Sequence, residues 1–171
     1  MKKENLEKLE DLKMELENCL DDYSLDFVNC YPLDSYGYIT DAVSEFADSN
    51  TSIYYNDQRD FYYNNTELCE ETLLDYGYSL DEMVKEGSTL GDLICRAGAI
   101  GEYRHIEETI SNELEDVIKL IIINYILDNK INCDIDFLDG LDVYNLDRFD
   151  DLLDLIHENA AEEEEEEKWE K

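Results

Sequence analysis

The sequence sets 46 Asp and Glu against 13 Lys and Arg, a formal net charge of −33 on 171 residues. Any fold of this chain must hold that excess in water and still close a core. High net charge opposes collapse, so the first question is whether the apolar content suffices. Leu, Ile, Val and Phe number 22, 14, 5 and 5, or 46 of 171 residues. That is about 27%, above the roughly 20% below which charged chains stay unfolded. Thirteen tyrosines add large burial units. A folded, strongly acidic protein follows, and added salt should stabilise it by screening its self-repulsion.

The sign of the charge excludes partners. Direct nucleic-acid binding requires a basic footprint, and an anionic membrane surface is disfavoured for the same reason. The longest apolar run is Leu120–Ile123, far short of a membrane span. The amphipathic, acidic N-terminus has no apolar core of the signal-peptide kind. Cys19, Cys30, Cys69, Cys95 and Cys133 are odd in number and scattered without CxxC spacing. They read as small buried apolar residues of a reducing cytoplasm, and not as a disulfide framework or zinc site.

Catalytic signatures fail on spacing. No Gly-rich phosphate loop, HExxH or GxSxG is present. His105 and His157 stand apart among hydrophilic neighbours. Asp134, Asp136, Asp139, Gly140 and Asp142 suggest a calcium loop, but counting from Asp134 puts Leu138 at position 5, Asp139 at 6 and Asn145 at 12, and the EF-hand register is lost. No enzyme, cofactor or metal is expected.

Periodicity predicts a mostly α fold: a compact, multi-helix acidic domain with one long central helix. Leu6, Leu9, Leu12 or Lys13, Leu16 and then Cys19 or Leu20 form a helical stripe over 3–22. Residues 23–38, with Pro32 and Gly37, read as a loop. Thr40 is placed to cap a helix that turns Ala42, Val43, Phe46 and Ala47 inward. Ser52 is placed to cap another, running to about Tyr63 and anchored by Ile53, Tyr54 and Phe61. A third runs over 66–76 to Gly77. Ser79–Glu82 fits a capping box for a short helix ending at Gly87. Thr89 opens the longest periodic segment, which Gly98 and Gly101 should bend or split. Its second half, apolar almost all round at Leu120–Tyr125, should be the central core helix. Alternation of Ile131, Cys133, Ile135 and Phe137 with polar residues allows a short strand or extended edge near 131–138. Asn145 is placed to cap a last helix. The expected organisation is one domain over 1–160, with 1–38 as a semi-independent helix and loop, and an acidic tail over 161–171.

The acidity is not confined to the tail. Arg59 is the only basic residue between Met14 and Val84. Asp41, Glu45 and Asp48; Asp57 and Asp60; Glu67, Glu70, Glu71 and Asp75; Glu113 and Asp116; and Asp150, Asp151 and Asp154 recur at helical spacing on faces expected to be exposed. Like charges so placed cost a few tenths of a kcal/mol per pair, and solubility alone needs a net charge of only about 2–8. Duplex DNA carries one charge per roughly 1.7 Å, so 33 charges match about 56 Å, or about 16 base pairs. A folded acidic surface of that size could enter the basic cleft of a DNA-binding enzyme and displace DNA.

Asp41-Ala42-Val43-Ser44-Glu45-Phe46-Ala47-Asp48-Ser49, followed by Tyr54-Tyr55-Asn56-Asp57, resembles the central module of the phage overcome-classical-restriction proteins. The clear likeness covers about residues 41–65. A looser one extends over Leu93–Asp116, and the Glu162–Glu167 run is similar to that family's acidic C-terminus. The resemblance implies an all-helical, dimeric DNA mimic that blocks type I restriction enzymes by filling their DNA cleft, with Asp41, Asp48 and Asp57 at module positions. Richness in Asn, Ile and Tyr, which have AT-rich codons, suggests a low-GC bacterium, its phage or a mobile element, and hence the cytoplasm of a bacterial host cell. There a CRISPR effector such as Cas9, which holds nucleic acid in a basic channel, is an equal target. The expected function is therefore antirestriction or anti-CRISPR inhibition by DNA mimicry, in which a homodimer is one expected state. Tyr54, Tyr55, Tyr62 and Tyr63 would serve either as interface anchors or as packing. The alternative is an acidic binding module for a basic host protein, such as a histone-like protein or regulator.

Overall fold

With so much charge to keep in water, this chain must turn its apolar faces inward, and the computed structural model does so, with one stripe buried on most helices and nearly every face on one of them. It describes residues 3–33, 35, 37–85, 87–133 and 135–169, with side chains to Ala160 apart from those of Lys3 and Tyr144. Among these residues lie nine α-helices: α1 Lys3–Cys19, α2 Asp22–Cys30, α3 Ile39–Asn50, α4 Tyr55–Asn64, α5 Thr66–Asp75, α6 Leu80–Lys85, α7 Leu90–Asn112, α8 Leu114–Asn129 and α9 Phe149–Trp169. Two compact units result, Met1–Val43 with Thr109–Lys171, and Ser44–Glu108. The division falls within α3 and α7.

In the first unit α8 is the central helix, packed against α1, α2 and α9. Val117, Ile118, Leu120, Ile121, Ile122, Ile123 and Ile126 are all buried along it, as its all-round apolar character requires. It ends in a Schellman turn: the Ile131 amide donates to the Ile126 carbonyl at 3.1 Å and the Lys130 amide to that of Leu127 at 3.3 Å. Leu9 and Leu16 are buried as the first stripe predicts, and of the two alternatives at its end Leu20 is buried and Cys19 exposed. The loop expected over 23–38 is corrected in its first half, which is α2. Asp21 caps it, accepting from the Tyr23 amide at 2.9 Å, and Ser24, Phe27 and Val28 form its buried i, i+3, i+4 face. Pro32 lies two residues beyond its end.

Two predicted caps are displaced. Helix α3 begins at Ile39 rather than after Thr40, and α9 at Phe149 rather than after Asn145. An isolated antiparallel bridge between Tyr38 and Arg148 explains both. The Ile39 amide donates to the Asp147 carbonyl at 2.9 Å and the Phe149 amide to the Gly37 carbonyl at 3.3 Å. These first-turn donors are satisfied across the bridge and need no side-chain cap. The Arg148 guanidinium lies 5.1 Å from the Tyr38 ring centroid. Asn145 sits in a 3-10 turn, Val143–Asn145.

No strand forms near 131–138 among the described residues; a 3-10 helix occupies Asp136–Gly140. The Cys133 carbonyl accepts from the Asn5 side chain at 3.1 Å, so an α1 side chain takes the place of a strand neighbour. Asp134 lies outside the described residues.

The Ser44–Glu108 unit closes on Tyr62, Cys69, Leu73 and Ala97, with Phe61, Leu80, Ile94 and Ile100 around them. The inward face predicted for α3 holds: Ala42, Val43, Phe46 and Ala47 are buried. Ser79 and Thr89 act as the caps expected of them, the Glu82 amide donating to Ser79 Oγ at 3.3 Å and the Asp92 amide to Thr89 Oγ1 at 3.2 Å. The expected break at Gly98 and Gly101 is absent: α7 is continuous through both. A Cβ on Gly98 would collide with the main-chain carbonyl of Gln58, 2.8 Å from its carbon, and one on Gly101 would lie 3.1 Å from Cys69 Cα. These glycines let the main chains of α4 and α5 approach α7; they do not end it. Continuity keeps Cys95 and His105 about 15 Å apart by helix rise.

Ser52 is not a cap. Its amide and hydroxyl donate to the buried Glu102 carboxylate at 2.8 and 3.0 Å, and α4 starts only at Tyr55. Ile53 and Tyr54, expected as anchors, are 81% and 69% exposed.

Burial also sets the chemistry of this core. It pushes the Cys69 thiol up to about 11 from an ordinary 9.0, with the Glu70 and Glu102 charges adding to it. It pushes Tyr62 up to about 12, reinforced by the hydroxyl's 2.8 Å bond to Glu70. A folded-state pKa raised in this way favours the protonated form, so the stabilising contribution is complete below the unfolded pKa and is lost as pH rises through the folded one. Thermal melts should therefore fall progressively between about pH 9 and pH 12. Over the neutral range iodoacetamide should modify the exposed Cys19 and Cys30 and spare the buried Cys69, Cys95 and Cys133, as mass spectrometry of the native chain would read directly.

Candidate acidic interaction surface

The acidic candidates are helix-borne, and the inward stripes decide where they point. On α3, burial of Phe46 and Ala47 leaves Glu45 and Asp48 outside; on α4 and α5, burial of Tyr62, Cys69 and Leu73 leaves Asp57, Asp60, Glu67, Glu70, Glu71 and Asp75 outside. These eight belong to the Ser44–Glu108 unit, while Asp41, Glu113, Asp116, Asp150, Asp151 and Asp154 belong to the other. Ten of the fourteen are exposed. Glu113, Asp116, Asp150 and Asp151 are half-buried.

Six of the fourteen are already engaged within the chain. Glu113 accepts from the Asp21 amide at 3.0 Å. Asp151 accepts from the Arg148 amide at 3.2 Å, and Asp150 lies 3.4 Å from the Arg148 guanidinium. Asp60 pairs with Arg59 at 3.6 Å, Asp75 with Arg104, and Glu70 holds the Tyr62 hydroxyl. Asp41, Glu45, Asp48, Asp57, Glu67, Glu71, Asp116 and Asp154 make no ion pair or side-chain hydrogen bond among the described residues, and their charge is left to solvent or a partner.

Within Ser44–Glu108 the sequence counts 15 acidic residues against Arg59, Lys85, Arg96 and Arg104, a net of 4 − 15 = −11. Arg104 is taken up by two carboxylates, Glu108 at 2.7 Å and Asp75, which hold its guanidinium charged above the usual arginine range. Its neighbours are thereby partly neutralised, and among the candidate residues of this unit the unpaired ones are Glu45, Asp48, Asp57, Glu67 and Glu71.

The same unit exposes apolar surface. Among the described residues, eleven large apolar or aromatic side chains are exposed, and nine lie here, among them Tyr54, Tyr55, Tyr63, Tyr76 and Tyr78. Of the tyrosines expected to serve as either anchors or packing, Tyr62 is buried and belongs to the packing. Tyr76 and Tyr78 escaped the sequence reading. The signal was available: Gly77 has φ +80°, and the Tyr78 amide donates to the Leu73 carbonyl and the Gly77 amide to that of Leu74, both at 2.9 Å. This Schellman turn ends α5 with a tyrosine on each side of the glycine.

Among the described residues no group of three His, Cys, Asp or Glu is arranged to hold a metal ion, and no helix is long and apolar enough to cross a membrane. Comparison of the chain with protein-family models, curated proteins and solved structures finds no match.

Proposed function

We propose that this chain is a DNA-mimic inhibitor of a bacterial DNA-binding defence nuclease, either a type I restriction enzyme or a CRISPR effector such as Cas9, and that it acts by occupying the enzyme's basic cleft without catalysis. The observation that carries the reading is the unneutralised acidity of a folded helical unit. Ser44–Glu108 has a net charge of −11, that of about 19 Å of duplex, on helices whose opposite faces form the core. Fixed carboxylates lose less entropy on binding than those of a disordered acidic chain, and the like-charge cost they impose on the fold is offset only if a cationic partner uses them. The exposed tyrosines support a protein as the partner, since Tyr is enriched in interfaces.

Affinity capture with the full chain from a low-GC bacterial lysate at moderate salt, with excess duplex DNA as competitor, tests the proposal. Capture of a restriction or CRISPR effector that duplex DNA releases is the expected result. Recovery only of the basic proteins that a salt-matched polyglutamate resin also retains, with no release by DNA, would overturn it.

A further inference from the structure

A concave, largely apolar groove of about 420 Å³ lies wholly within the Ser44–Glu108 unit, lined by Asp48, Thr51, Tyr76, Tyr78, Ile100 and Tyr103 among others. Tyr76 and Tyr78 are 60% and 56% exposed and are carried by the Gly77 turn. Tyr103 is fixed from α7: its hydroxyl donates to Glu107 Oε1 at 3.2 Å, and Ser44 Oγ donates to the same oxygen at 2.9 Å. Asp48 carries the groove's only carboxylate among the lining residues, and no cation within the described chain neutralises it.

We propose that this groove receives an arginine side chain of a protein partner, with the guanidinium against the tyrosine rings and forked onto Asp48. The inference rests on the reading of the unit as a protein-binding acidic surface, and it names the chemistry taken at one place on it. Charge complementarity selects the occupant. A net charge of −11 on the unit repels anions and offers a neutral apolar side chain nothing beyond burial. Lysine is a compact, strongly hydrated point charge with no plane to stack. Arginine is weakly hydrated and planar, stacks on aromatic faces and meets a carboxylate with two parallel N–H donors. Three tyrosines beside one free carboxylate match that combination.

The test uses the full chain with 13C-labelled tyrosine, followed by NMR during titration with three blocked pentapeptides, Gly-Gly-X-Gly-Gly, in which X is arginine, lysine or leucine. The ring signals of Tyr76, Tyr78 and Tyr103 should move with the arginine peptide at an affinity at least about threefold above that for lysine. Asp48→Asn and, separately, Tyr78→Ala should each weaken arginine binding by about fivefold, with the helical circular dichroism unchanged. Equal response to lysine would reduce the groove to a general cation site, and a stronger response to leucine would make it an apolar pocket. Ring shifts that depend on protein concentration without peptide would assign the groove to a second copy. Each of these outcomes overturns the proposal. The titration needs no nuclease, so the groove can fail while DNA-competable capture succeeds, and the reverse.

Discussion

Gly98→Ala should lower the melting temperature of this protein by more than about 10 °C, although Ala is the better helix former. Propensity alone favours the substitution by about 1 kcal/mol in the interior of a helix. Packing opposes it. The added Cβ would sit within the contact distance of the Gln58 carbonyl oxygen and 2.8 Å from its carbon. The obstacle is main chain on another helix, not the end of a flexible side chain, so α4 must move away from α7 as a body. Overpacking of this kind costs about 1–3 kcal/mol when side chains can yield, and more when they cannot. Gly101→Ala meets the Cys69 sulfur first and main chain only at the Cys69 Cα, 3.1 Å away, and should be milder. Cys69→Ala should recover part of its loss in a double-mutant cycle and none of the loss from Gly98→Ala. Thermal melts followed by circular dichroism decide it: a neutral or stabilised Gly98→Ala would mean that α4 does not approach α7 at this position.

These glycines also mark where sequence reading stopped. Helix period is a local property, so the inward faces of α3 and α8 were legible, as were the caps at Ser79 and Thr89, whose partner amides lie three residues away. A glycine in a helix has two opposite uses, to break it or to let another main chain approach, and the choice is made by a residue forty positions away in Gln58. The missed α2 and the displaced starts of α3 and α9 have the same origin. An amide satisfied across the Tyr38–Arg148 bridge leaves no mark on its own neighbours. The strand expected near 131–138 failed because alternation is necessary for a half-buried strand but supplies no partner strand. At the candidate surface, exposure of the acidic residues followed from amphipathicity. Which of them are neutralised did not, because Arg104 reaches Asp75 from twenty-nine residues away. The fate of the tyrosines was equally tertiary: neighbours in sequence, Tyr62 faces Glu70 and the core while Tyr63 faces water.

Reversal of Glu45, Asp57, Glu67 and Glu71 to lysine should weaken binding to a captured basic-cleft target by about a hundredfold at 50 mM salt and by far less at 200 mM. These four are exposed and unpaired among the described residues, so their loss removes no internal contact. Each reversal changes the charge by two, taking the Ser44–Glu108 unit from −11 to −11 + 8 = −3. Individual exposed pairs contribute only about 0.2–1 kcal/mol, but four lost together, with their attractions turned to repulsions, reach the roughly 2.7 kcal/mol of a hundredfold change. Asp48 is left intact, which separates this result from the arginine groove. Gln at the same four positions takes the unit only to −7 and should give an intermediate loss; that gradation distinguishes charge from shape. The fold should not suffer, because relief of self-repulsion acts in its favour, and helical circular dichroism with an undiminished melting temperature would confirm an intact unit. Calorimetric titration of the three proteins at both salt concentrations would provide the comparison. Affinity that is unchanged by reversal, or that falls equally at both salts, would remove this surface from the contact. Mimicry would then have to rest on the acidic residues of the other unit, where Asp41, Asp116 and Asp154 are the candidates left without an internal partner.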